Sequence, residues 1–315
     1  MCTILPHFLI ENLFMRYLFG VTIIWAFSFS LIGVYLSGYV DAWFSVLVRI
    51  GIATMLFLPF LKLQKIKAET ILKLTAIGAV QLGLMYCFYF QSFRFLTVPE
   101  VLLFSVFTPI YITLLNDILS KQFHKGHLLT ALIAVLGAAY IQYSSISENV
   151  FLGFLITQGA NFCFAIGQVA YKYLLKSIPE LESTPKYTIF GLFFMGAFIV
   201  SLIAFFIFGS TEKLPTTSVQ WGILIYLGAV ASGAGYFFWN QGVVKVNTGS
   251  LAIMNNALIP VGLIVNLLIW NKEADLKKIL IGGSLIFASL AVNEYINKRN
   301  KKTPNTLLIN NLKAD

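Results

Sequence analysis

Ten stretches of this chain run for about twenty residues with few charges, at roughly 17–36, 42–61, 71–91, 97–116, 127–143, 150–171, 187–208, 219–239, 248–270 and 279–296. Each matches the ~20 residues a helix needs to cross a ~30 Å hydrocarbon core. Inside lipid every backbone N–H and C=O must find a partner within the protein, so only helices and closed barrels can span it. The runs lack the two-residue alternation of barrel strands. They therefore predict an all-α integral membrane protein with ten transmembrane helices. Composition agrees, since charged residues are 11% of the chain against roughly 25% in a soluble domain.

The runs fall into two sets of five, and a sequence pattern recurs between them. Gly78-Ala79-Val80, Gly83, Tyr86 and Gln91 return as Gly228-Ala229-Val230, Gly233, Tyr236 and Gln241, and Pro109 has a counterpart in Pro260. Five is odd, so the second copy enters the membrane in the opposite sense to the first. Two inverted five-helix repeats are expected, over 17–143 and 150–296, with a cavity at their interface near mid-depth, as alternating access requires. The glycines Gly78, Gly83, Gly228 and Gly233, with Ser232 and Gly235, suit close helix approach. Pro109 and Pro260 weaken the backbone ladder and serve as kinks or hinges.

The net charge of +9 could mark a nucleic-acid partner, but the basic residues are sorted by loop. With the amino terminus inside, Arg16, Lys62, Lys65, Lys67, Lys73, Lys121, Lys125, Lys172, Lys176, Lys186, Lys245, Lys298, Arg299, Lys301, Lys302 and Lys313 face the cytoplasm. Arg94, Lys213, Lys272, Lys277 and Lys278 face out, and Arg49 remains within a span. This asymmetry orients a multi-pass protein of the cytoplasmic (inner) membrane with both termini in the cytoplasm. The partners expected are membrane lipid and a small-molecule substrate, with no nucleic acid. Residues 1–16 form an N-terminal extension; Met15 is a plausible start, and 1–14 are expected to be dispensable. The Lys- and Asn-rich stretch 297–315 reads as a disordered cytoplasmic tail.

Polar residues inside the runs are the candidates for a site. Arg49 lies seven residues into its run, ~10 Å deep at ~1.5 Å per residue. A buried arginine costs at least ~2.5–3.5 kcal/mol and needs a partner or a wet cavity. It would take an anionic substrate, because a guanidinium matches a carboxylate bidentately; Glu100 as an ion-pair partner, or snorkelling, are the alternatives. Asn255 and Asn256 reach similar depth from the other half. Adjacent helical positions point ~100° apart, so one of the two at most faces a cavity squarely. Their amides suit a neutral polar group, or an interhelical hydrogen bond. Asn161, Gln81, Gln158, Gln168 and Asn240 are lesser candidates. Trp25, Tyr86, Tyr236 and Trp239 offer faces for stacking or simply pack, and Trp43, Trp221 and Trp270 are placed as interface anchors.

Chemistry is not the evident task. There is no phosphate-binding G-x-x-x-x-G-K-[ST] loop and no serine elbow. Cys2, Cys87 and Cys163 have no paired spacing, His124 and His127 lack companion ligands for zinc, and Glu294, close to the cytoplasmic end of the last span, would carry protons or simply face water. No cofactor and no catalytic residue are expected. Transport would then be facilitated or driven by an ion gradient.

Particular stretches resemble the drug/metabolite transporter superfamily, in its form with two EamA domains. In the first half they are Trp25-Ala26-Phe27-Ser28-Phe29-Ser30, Val46-Leu47-Val48-Arg49, Gln81-Leu82-Gly83 and Leu102-Leu103-Phe104 through Thr108-Pro109 to Leu114. In the second half they are Phe164-Ala165-Ile166-Gly167, Gln220 to Leu224, Ala231-Ser232-Gly233 with Gly235-Tyr236-Phe237, and Ile253-Met254-Asn255-Asn256 with Pro260. Within that superfamily the chain is similar to bacterial biotin importers. The resemblance implies secondary uptake of biotin or another small carboxylate. Arg49 would then suit the carboxylate, Asn255 or Asn256 the urea, and Trp25, Tyr86 or Trp239 the ring faces. An exporter of amino acids or related metabolites, and a membrane scaffold that transports nothing, are the competing expectations.

Overall fold

The computed structural model describes residues 7–64, 66–123, 125–141, 148–270, 277, 280–289, 291–293 and 295–296. The expectations for Cys2, His124, Glu294 and the tail after 296 fall outside them. Every regular element among the described residues is helical. In chain order these are α1 (His7–Leu31), α2 (Ala42–Phe57), α3 (Ala68–Gly78), α4 (Met85–Ser92), α5 (Val98–Phe104), α6 (Thr108–Ser120) and α7 (Lys125–Ile141). Then come α8 (Glu148–Ser177), the short α9 (Glu180–Ser183), α10 (Lys186–Phe208), α11 (Ser218–Tyr226), α12 (Gly235–Val243) and α13 (Thr248–Trp270).

Eight helical stretches are long and apolar enough to cross a membrane: Met15–Leu36, Ala42–Phe60, Ala68–Ser92, Val98–Ser120, Val150–Ser177, Lys186–Phe208, Ser218–Val243 and Thr248–Trp270. The fifth and tenth expected runs coincide with shorter apolar helices, Lys125–Gly137 and Leu280–Asn293. By length and composition, then, eight of the ten expected runs qualify as membrane spans among the described residues.

The packing reflects the duplication. Helix α2 lies against α10, and α6 against α13. Contacts of α1 with α13 answer those of α8 with α6, and contacts of α4 with α8 answer those of α12 with α1. Exchanging the halves reproduces these pairings, as an internal two-fold relation demands.

The recurring glycine pattern has the same local structure in both halves. Residues Ala79–Leu84 join α3 to α4, and Leu227–Ala234 join α11 to α12, each as a π-helical segment. Such segments are rare, and they widen the turn and displace carbonyls from the i to i−4 ladder. The repeated glycine at the start of each segment, Gly78 just before the first and Gly228 second in the other, is a packing requirement. A Cβ on Gly78 would overlap the backbone of Phe193 on α10, and one on Gly228 would lie 2.8 Å from the carbonyl of Arg49 and 2.7 Å from Ile52 Cβ on α2.

The two prolines differ. Around Pro109 the helix breaks into α5, a 3-10 turn at Ser105–Phe107, and α6, with Pro109 in its first turn, where a missing N–H is tolerated. Pro260 sits inside an uninterrupted α13. A change of helix type is therefore seen beside Pro109 and not beside Pro260.

Candidate functional site

A cavity of about 80 Å³ lies between the halves, bounded by α1, α2 and α4, the break between α5 and α6, and helices α8, α12 and α13. Of the residues singled out in the sequence, it brings together Arg49, Asn255, Trp25, Tyr86 and Trp239, with Tyr236 and Asn161. Asn256 does not line it. That side chain is fully buried and donates its amide to the carbonyl of Val106 at 3.3 Å, in the break before Pro109. Of the two adjacent asparagines, Asn255 is the one on the cavity wall.

The break also accounts for the other amides. The carbonyl of Phe104 accepts from Asn161 at 2.7 Å and from Gln158 at 3.0 Å. Side chains from the second half thus satisfy carbonyls exposed by a broken helix in the first, which lipid could not do. Gln81 donates to Asn240 at 3.3 Å, and Gln168 accepts from the Trp239 indole at 3.1 Å. These are interhelical hydrogen bonds of the ordinary membrane kind.

Arg49 is different. It is 2% exposed, and its Nε donates to Ser232 Oγ at 2.6 Å, which in turn donates to the Tyr86 hydroxyl at 3.1 Å. The guanidinium lies over the Tyr86 ring, 4.0 Å from its centroid. Its Nη1 is buried with no hydrogen-bond partner, and no carboxylate among the described residues pairs with it. Glu100 is occupied elsewhere, accepting from Thr97 N at 2.7 Å and Thr97 Oγ1 at 2.8 Å as a helix cap. An unneutralised cation with a free donor, facing a cavity at low dielectric, is a strong site for an anion.

Aromatic rings form the rest of the wall. Trp25 packs 4.8 Å from Tyr236, 4.7 Å from Trp239 and 5.8 Å from Phe164, and Tyr86 lies 5.9 Å from Tyr236. The Trp25 indole donates to the carbonyl of Ala231 at 2.9 Å, an acceptor that the π segment turns outward. Gly235 leaves room for it, since a Cβ there would stand 3.1 Å from Trp25 Nε1. Removing this bond in Trp25→Phe is expected to cost ~0.5–1.5 kcal/mol, read as a lower unfolding midpoint of the purified protein. An unchanged midpoint would show that the indole bond does not help to hold α1 on the second half.

Several wall residues were missed in the sequence: Thr22, Ser28, Phe29, Tyr89, Ser105, Thr108 and Phe164. Helical spacing was the available signal. Thr22, Trp25 and Ser28 share one face of α1, and Tyr86 and Tyr89 share one of α4, as residues three apart do. Ser232, read only as a small packing residue, holds the arginine. Its signal was a departure from the repeat, because the matching position in the first half is Leu82.

The EamA-like transporter family matches over residues 13–143 and again over 151–294. A protein of Pseudomonas aeruginosa named a probable biotin transporter is 47% identical over 279 residues, covering 89% of this chain and 97% of that one. The biotin transporter of Escherichia coli K12 is 45% identical over 291 residues, covering 92% and 96%. A crystal structure at 15% identity superposes with a TM-score of 0.72 over 91% of this chain and 98% of the other. That likeness concerns the fold alone.

Proposed function

Because the chain belongs to the EamA-like transporter family, we propose that it is a secondary importer of biotin across the cytoplasmic membrane and not an enzyme. The halves 17–143 and 150–296 act as the two repeats, both termini are cytoplasmic, and the substrate binds between them, where the cavity of about 80 Å³ widens to admit it as the halves move in alternating access. The observation that carries this reading is the buried Arg49 guanidinium, stacked on Tyr86 with Nη1 unpartnered. It matches the carboxylate of biotin, and the names of relatives at 45–47% identity supply the substrate. Trp25, Tyr86 and Trp239 face the bicyclic ring, and Asn255 the ureido group.

The direct test is growth of a biotin auxotroph lacking its own importer, on trace biotin, together with accumulation of labelled biotin. Rescue and accumulation are expected. Efflux of biotin or of amino acids without uptake would replace import by export, and no flux of either would leave a scaffold.

The neighbouring asparagines separate function from structure. Asn255→Ala is expected to raise the KM for biotin roughly two- to twelvefold, the equivalent of one ~0.5–1.5 kcal/mol hydrogen bond, at unchanged abundance. Asn256→Ala strands the Val106 carbonyl and should lower stability by ~1–3 kcal/mol with little change in KM. The opposite pattern of KM and melting temperature would reverse the two assignments.

A further inference from the structure

A second cavity, of about 330 Å³, lies on the face of the bundle where α1 ends, α2 begins and α10 ends. In the proposed orientation this face is outside. Its walls come from both halves. The backbone N–H of Asp41 donates to the carbonyl of Lys213 at 2.8 Å, and the Lys213 ammonium donates to the carbonyl of Gly38 at 3.3 Å. Gly38 makes this junction possible, with φ +80 in the left-handed region.

The floor of this vestibule is Phe90, which is 4% exposed. That ring also lies 5.8 Å from Arg49 Cζ and 6.3 Å from the Tyr86 ring. Phe90 therefore touches both the vestibule and the surroundings of the arginine. Two buried donors line the vestibule without a partner, Ser45 Oγ (1% exposed) and Gln91 Nε2. At its rim stand two exposed cations, Arg94 and Lys213. Two carboxylates line it as well. That of Asp41 is engaged as the cap of α2, accepting from Phe44 N at 2.8 Å, and Glu212 is exposed. Buried donors left unmade cost ~1–3 kcal/mol each, and what they lack is an acceptor.

We propose that this vestibule is an external binding site for the carboxylate end of the substrate, occupied before the ligand passes Phe90 to Arg49. Arg94 and Lys213 draw the anion to the mouth, and Ser45 and Gln91 donate to its oxygens. The proposal rests on the biotin-import reading for its ligand.

The test is equilibrium binding of labelled biotin, with biotin methyl ester as competitor, to the full-length protein in lipid nanodiscs. Wild type is expected to show a tight and a weak component. Arg49→Ala should keep only the weak one, displaced by biotin at least about tenfold better than by the methyl ester, as a charge-assisted contact implies. Adding Gln91→Leu and Ser45→Val should remove it. Arg94→Gln with Lys213→Gln, both at the exposed rim and compared with wild type at matched membrane abundance, should raise the uptake KM roughly three- to tenfold at low salt, with kcat unchanged. Wild type that binds no biotin would sink the substrate reading and the vestibule together. Saturable binding by wild type with none in Arg49→Ala, or residual binding that ignores the ester or the donor substitutions, would sink the vestibule alone and leave it a hydrated entrance.

Discussion

Arg49→Ala is expected to abolish biotin accumulation while the protein remains at its normal level in the membrane. Losing one partner of a buried, charge-assisted pair costs about 2–5 kcal/mol, which at ~1.4 kcal/mol per decade is roughly a 30- to 4,000-fold loss of affinity. The fold should not suffer comparably, because the terms that bear on it nearly cancel. Burying the cation costs at least ~2.5–3.5 kcal/mol. Its bond to Ser232 returns ~1.5–3 kcal/mol, and its position over Tyr86 ~0.5–2 kcal/mol. Arg49→Lys keeps a charge but not the planar fork, so an intermediate effect is expected, with KM raised on the order of tenfold. Labelled uptake at matched expression is the measurement. Wild-type kinetics in Arg49→Ala would remove the central site from the mechanism.

The second large effect is on assembly. Gly78→Val and Gly228→Val should each prevent the halves from docking, because the new side chains meet backbone rather than flexible tips: Phe193 in one case, and Arg49 with Ile52 in the other. Overpacking of a tight core costs typically ~1–3 kcal/mol, and a rigid backbone contact belongs at or above the top of that range. Loss of monodisperse protein on size exclusion in detergent is the expected outcome. Gly222 is the control, since it lies exposed on α11 with nothing within 4 Å of its Cβ position. Gly222→Ala should express as wild type or slightly better, because alanine is the better helix former by ~1 kcal/mol. Equal behaviour of all three variants would show that the duplicated glycines are not close-packing positions.

Much of the plan could be read from the chain because its cause is local. A twenty-residue apolar run must close its own hydrogen bonds in lipid, so its helicity follows from composition. Arg49 was recognisable for the same reason, as a charge that lipid cannot solvate. Its partners were less legible. Glu100 was the nearest candidate in the sequence, yet its carboxylate caps a helix through Thr97, while Ser232, 183 residues away in the chain, holds the guanidinium. Pro109 and Pro260 look alike as letters, but only Pro109 follows a break in its helix. There, amides of the second half stand ready to take the carbonyls that the break exposes.

The sequence by itself determined the helical class, the duplication, and the presence of a cation and aromatic rings inside the spans. These depend on the period and polarity of single segments. Only the tertiary structure decided which face each helix turns to its neighbours: Asn255 to the cavity and Asn256 to the carbonyl of Val106, Ser232 to Arg49, and Phe90 to the vestibule. Rotation of an apolar helix about its own axis is nearly free in lipid and is set by the helices packed around it.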